Sequence, residues 1–109
     1  MIKRKEKEVV AIKNDLKTLD NVLKIIFKKT KGHINGETKS YSQFKKEIKQ
    51  IFSEQEYLPF QIALELNIGN KIIYSTIIKT AWGYNYYIPE THEDEERLKK
   101  ETGYYDINN

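Results

Sequence analysis

His33 and His92 are the only side chains in the chain that ordinarily titrate near neutrality, and neither has the company that acid–base or metal chemistry needs. His92 opens the run His92-Glu93-Asp94-Glu95-Glu96, which lacks the second histidine of a zincin helix. His92 and Glu96, four apart, offer two metal ligands where a stable site takes more, so the run reads as the solvated, acidic start of a helix. Ser40 and Ser42 flank a helix start, and no glycine-flanked elbow surrounds Ser53 or Ser75. Glycines 32, 36, 69, 83 and 103 stand singly at turns and form no phosphate-cradling loop. There is no cysteine, which removes disulfides, thiolate nucleophiles and cysteine zinc sites together. The expectation is a protein with no catalytic residues, no metal and no cofactor.

Two patterns suit binding instead. On a helix at 100° per residue, Lys13, Lys17, Lys24, Lys28 and Lys31 fall within a sector of about 60° over roughly 27 Å, beside an apolar stripe. Such a row can follow a phosphate backbone or an acidic protein groove, although Glu6 and Asp20 dilute it. The second pattern is aromatic: Trp82, Tyr84, Tyr86 and Tyr87 cluster around one turn, with Tyr74 on the strand before it. Tyr84 and Tyr86 project to one side of a strand and Tyr87 to the other, so one aromatic face points away from any helical layer. Exposed Tyr and Trp suit a protein interface or base stacking, and tyrosines also simply favour strands.

The chain that must position these groups has 109 residues, enough for a single domain that buries a core without staples. With 39% apolar and 32% charged residues it has an ordinary globular composition. The apolar run after the basic start, Val9 to Ile12, is too short for a signal peptide, and none approaches membrane-spanning length. A cytoplasmic location and no membrane partner are expected. Lys, Ile, Asn and Tyr supply 48 of the residues, a bias of AT-rich genomes that points to a low-GC bacterium or its phages and plasmids. The net charge of +3 hides a split: residues 1–55 hold 14 Lys/Arg against 7 Asp/Glu, and residues 56–109 hold 5 against 9. A basic face with an acidic partner follows, whether a protein, a nucleic acid or the chain's own tail.

At Tyr57 the apolar period changes. Val9, Ile12, Leu16, Leu19, Leu23 and Ile26 recur every three or four residues and predict a helix over residues 5–30, ending at Lys31-Gly32. Only the first of three possible g-to-e charge pairs in a coiled coil is complementary, so packing within the molecule is preferred. Asn35-Gly36 predicts a turn, and Ser40 with Gln43 a capping box opening a second helix over residues 41–53. That helix buries Tyr41, Phe44, Ile48, Ile51 and Phe52, leaving Lys45, Lys46 and Lys49 off its apolar face. Leu58, Phe60, Ile62, Leu64, Leu66 and Ile68 then alternate, predicting a strand over residues 57–68, with Pro59 tolerable only at an edge or strand end. Gly69-Asn70 turns it into a strand over residues 71–81, and Gly83 into a third over residues 84–88. Thr91 caps a short helix over residues 92–102, acidic at its start, basic at its end, and anchored only by Leu98.

The predicted fold is α+β: two N-terminal helices packed on a three-stranded antiparallel meander, with a short C-terminal helix. The acidic segment 90–109 is expected to be loosely attached, and either to fold back on the lysines or to meet them on a neighbouring molecule in weak self-association. Helix, three strands and helix over residues 41–102 resembles the order of double-stranded-RNA-binding domains. Those carry lysines at the start of the last helix, where this chain has Thr91, His92, Glu93, Asp94, Glu95 and Glu96. A winged helix needs a recognition helix at residues 58–68, against their alternation. Small toxin ribonucleases pair two helices with a meander, but their first strand and basic catalytic cluster are not found here. The functional expectation is a small non-catalytic binding protein, an accessory factor of a phage or mobile element that docks on a host protein and inhibits or modulates it. A nucleic-acid-binding module using the lysine row is the alternative, and a small nuclease a distant third.

Overall fold

A computed structural model describes residues 16–102. Its first helix, α1 (Leu19–Thr30), begins where Thr18 takes an extended backbone and accepts the Asn21 N–H on its hydroxyl at 3.2 Å. The expectation of one continuous helix over residues 5–30 is corrected here, because residues 16–18 are not helical. Lys17 instead exchanges two backbone hydrogen bonds with Tyr84, at 2.8 and 2.9 Å. The apolar spacing runs through Leu16 unbroken, so periodicity cannot register a break made by a capping threonine and a strand 67 positions away. Residues 5–15 of the expected helix lie outside the described ones. At its other end α1 closes on Lys31 in the left-handed conformation, followed by Gly32 at φ +86°. A Cβ on Gly32 would stand 2.6 Å from the Lys39 carbonyl oxygen, so this position requires glycine.

The connector after α1 is itself a hairpin. His33–Ile34 (β1) and Glu37–Thr38 (β2) pair across Asn35 and Gly36, both at positive φ. Two-residue strands are too short for alternation to reveal, which is why only their turn was legible. α2 (Tyr41–Ser53) has the expected bounds; Ser40 caps it, while the Gln43 side chain reaches Glu47 rather than back to the cap, so the box is half made. Then come β3 (Phe60–Ile68), β4 (Lys71–Lys79), β5 (Tyr84–Tyr87) and α3 (His92–Glu101), each within three residues of expectation at either end.

The sheet therefore has five strands in the order β2-β1-β3-β4-β5, all antiparallel, rather than three. The long ladder aligns Phe60 with Lys79 through to Ile68 with Lys71. On one face Ile62, Leu64, Leu66 and Ile77 meet Val22, Leu23 and Ile26 of α1 and Phe44, Ile48 and Phe52 of α2 in a single buried cluster. Ile51, expected inside, is exposed. The other face is covered too. Tyr74, Thr76 and Ile78 alternate away from the main cluster and are buried with Leu98 of α3. Thr102 anchors this packing through its hydroxyl, 2.8 Å from the Tyr74 hydroxyl. The acidic helix thus packs on the opposite side of the sheet from α1 and α2, not back against the lysines of α1.

Candidate functional site

The row of lysines is rearranged by the break before α1. Lys13 lies outside the described residues, Lys17 is in the extended segment with its ammonium 6.0 Å from the Tyr86 ring centre, and Lys31 is the left-handed cap. Lys24 and Lys28 remain as exposed members of α1 itself. A broader basic surface arises because α1 and α2 lie side by side on the same sheet face. Asp20 of α1 is the joint: its carboxylate pairs with Lys24 at 3.0 Å and with Lys45 of α2 at 3.0 Å, and accepts the Tyr41 hydroxyl at 2.5 Å. These three donors, Tyr41 foremost, hold the Asp20 carboxyl well below the usual carboxylate range. Burial, reinforced by Asp20, pushes the Tyr41 phenol up to about 12. Beyond the joint, Ser42, Lys45, Lys46, Lys49, Gln50 and Ser53 line an open basin of about 500 Å³ along α2.

The α2 lysines were legible as solvent-facing, but not as members of one surface with Lys24 and Lys28. That depends on which way α2 lies against α1, and the one sequence signal for it, a tyrosine 21 positions after an aspartate, is too common to read. Lys39 was missed outright: it is buried and bridges Glu37 at 3.0 Å and Glu47 at 2.9 Å, fastening β2 to α2. Glu47 first, then Glu37, raise the Lys39 ammonium above its ordinary value, and Lys39 lowers the Glu47 carboxyl in return.

The aromatics do not form one patch. Tyr84 and Tyr86 pack at the rim of the main core, Tyr84 edge-on to Phe52 at 5.5 Å. Tyr87 lies on the α3 side, where desolvation and then Asp94 raise its phenol above the ordinary value, and Trp82 is exposed in the β4–β5 connection. Lys17, Tyr86 and Tyr87 do line one groove of about 820 Å³, together with Lys29, Glu90 and Asp94 and, among its apolar lining, Ile73 and Ile88.

The histidines are far from one another in role. His33 shares a 2.9 Å hydrogen bond with the Thr38 hydroxyl across the β1–β2 hairpin, and His92 is the exposed first residue of α3. Among the described residues no three His, Cys, Asp or Glu side chains are placed to hold a metal ion, and no helix is long and apolar enough to cross a membrane. Chemically the described surface offers ammonium groups, carboxylates and aromatic rings for contact, and an exposed hydroxyl–imidazole pair at Thr38 and His33. Compared with known protein families, curated proteins and solved structures, the chain matches none of them.

Proposed function

We propose that this chain is a small non-catalytic binding protein, an accessory factor of a phage or mobile element, that docks on an acidic surface of a host protein and inhibits or modulates it. The observation that carries the reading is the Asp20 joint, which brings Lys24 of α1 and Lys45 of α2 to one carboxylate, with Lys28, Lys46 and Lys49 the exposed lysines that continue along the same two helices. The acidic first turn of α3, Glu93, Asp94 and Glu95, belongs to the helix on the opposite face of the sheet. Lysines outnumber carboxylates along α1 and α2, and such a local excess of one sign orients the approach to an acidic partner through a field that acts before contact. Nucleic-acid binding is the second reading, favoured by the hydroxyls of Ser42 and Ser53 beside three lysines in the α2 basin, a combination that suits phosphates.

A tagged full-length chain, used to capture partners from host lysate with and without nuclease and analysed by mass spectrometry, separates the two. Lys28, Lys46 and Lys49 are the residues to change to glutamate, since Lys24 and Lys45 also hold Asp20. The expected result is a protein partner retained after nuclease, weakened by salt and lost with the triple variant. Capture that disappears with nuclease supports the nucleic-acid reading; capture indifferent to the triple variant overturns the basic surface.

A further inference from the structure

Most edges of this sheet carry a device that closes them. At β5, Lys17 pairs with Tyr84 and the Asn85 side chain accepts the Tyr86 N–H at 2.8 Å. Where β4 runs on past its pairing with β5, Glu95 accepts the Tyr74 N–H at 2.6 Å. The outer strand β2 is only two residues long. On the remaining side of β3, Ile34 pairs with Leu66, Asn35 donates its N–H to the Glu65 carbonyl, and the Asn35 side chain accepts the Glu65 N–H at 2.8 Å.

The hairpin β1–β2 turns away at that point, leaving the first half of β3 without a neighbouring strand among the described residues. Backbone groups alternate in direction along an antiparallel strand, so Gln61 and Ala63 point the same way as Glu65, away from β4. Their two N–H and two C=O groups find no partner among the described residues. This slot is bounded by Pro59, which has no N–H to offer, and by Asn35. Beside it in the chain are exposed apolar side chains, Tyr57 at 83% exposure and Leu58 at 42%.

We infer that the open half of β3 is a strand-addition site for an extended, basic segment of a partner protein. Backbone hydrogen bonding supplies the docking, and flanking apolar and charged groups supply the choice of sequence. The charge is argued from the strand's own surroundings. Residues 50–70 contain Glu54, Glu56 and Glu65, all exposed, and no lysine or arginine, in a chain that has 19 such cations. Natural edge strands are commonly protected by lysine, and this one carries the opposite charge. A second copy of the chain fits less well, since it would bring Glu56 and Glu65 of both molecules to one seam. The site is independent of the lysine surface on α1 and α2, so either can fail without the other.

The test uses the full chain and a blocked heptapeptide of alternating lysine and valine as probe, with amide hydrogen exchange followed by NMR. Saturating peptide should slow exchange of the Gln61 and Ala63 amides at least about tenfold, and N-methylation of the peptide on its sheet-facing amides should weaken binding by at least about tenfold, the equivalent of 1.4 kcal/mol. Changing Glu56→Lys together with Glu65→Lys should transfer the preference to the corresponding glutamate–valine peptide. The N-methyl comparison uses the unaltered chain and stands whether or not that variant folds. No protection at millimolar peptide, binding that N-methylation leaves unchanged, or protection of these amides that grows with protein concentration alone would each overturn the inference, the last by giving the slot to a second copy.

Discussion

The two faces of the sheet are covered by different physics. Against one, α1 and α2 press Val22, Leu23, Ile26, Phe44, Ile48 and Phe52 onto Ile62, Leu64, Leu66 and Ile77, a cluster held by apolar burial. Against the other, α3 contributes Leu98 as its one buried residue and is located by polar contacts, Glu95 to the Tyr74 N–H and Thr102 to the Tyr74 hydroxyl. Burial is non-directional and tolerates small displacements, whereas hydrogen bonds fix position at modest net stability. The first face should respond to lost volume, and the second to lost partners.

The largest expected effect is on the main core. Leu64→Ala leaves a cavity between the helices and β3 and should lower stability by about 2–5 kcal/mol, read as a shifted denaturant midpoint, with Glu65→Ala on the exposed side nearly silent. Leu98→Ala, on a face with fewer buried apolar residues among the described ones, should cost about 2 kcal/mol, at the bottom of that range. A loss for Leu98→Ala equal to that for Leu64→Ala would erase the distinction between the faces.

Glu95→Ala removes the acceptor of the Tyr74 N–H and should cost about 1–2 kcal/mol. Its more specific signature is faster amide exchange at Tyr74 while the Leu64 amide, inside the β3–β4 ladder, keeps its protection. On the same face the Thr76 hydroxyl is buried without a hydrogen-bond partner among the described residues. Thr76→Val keeps the shape and removes the unsatisfied group, so the midpoint should rise, by about 1 kcal/mol. A loss of stability instead would mean that the hydroxyl is satisfied in solution.

The helical face also sets a pH window. Asp20 and Glu47 titrate below their ordinary 3.8 and 4.5, so the stability they contribute is complete above those values and is lost as pH falls below about 4. Tyr41 moves from 10.0 to about 12 and Lys39 lies above its ordinary 10.5, so their contributions are complete below pH 10 and disappear as pH rises through the folded values. Denaturant midpoints across pH should show a plateau between these limits. Tyr41→Phe should make the alkaline fall shallower without abolishing it, since Tyr87 beside α3 is also raised. An alkaline limb identical to wild type would show that the Tyr41 phenol is not held up by its burial and by Asp20 in solution.

The amino-acid sequence by itself determined the elements whose period is long enough to average out exceptions. Six alternating residues from Leu58 to Ile68, the Gly69-Asn70 turn, the Ser40 and Thr91 caps and the apolar face of α2 are local signals, and each appears within a few residues of its expected place. Tertiary structure decided whatever depends on residues distant in the chain. Lys17 leaves the helical pattern because Tyr84 offers it two hydrogen bonds, Ile34 becomes a strand because Leu66 lies beside it, and α3 takes the far face because Glu95 and Thr102 bond Tyr74 there and Leu98 is buried. The basic surface has the same origin: its lysines were visible one helix at a time, and only the packing of α1 beside α2 brought Lys24 and Lys45 to one carboxylate. Periodicity reports which side of an element is apolar, but the identity of the neighbour on that side is a property of the folded chain, set by the arrangement that buries the most surface while leaving the fewest backbone groups unpaired.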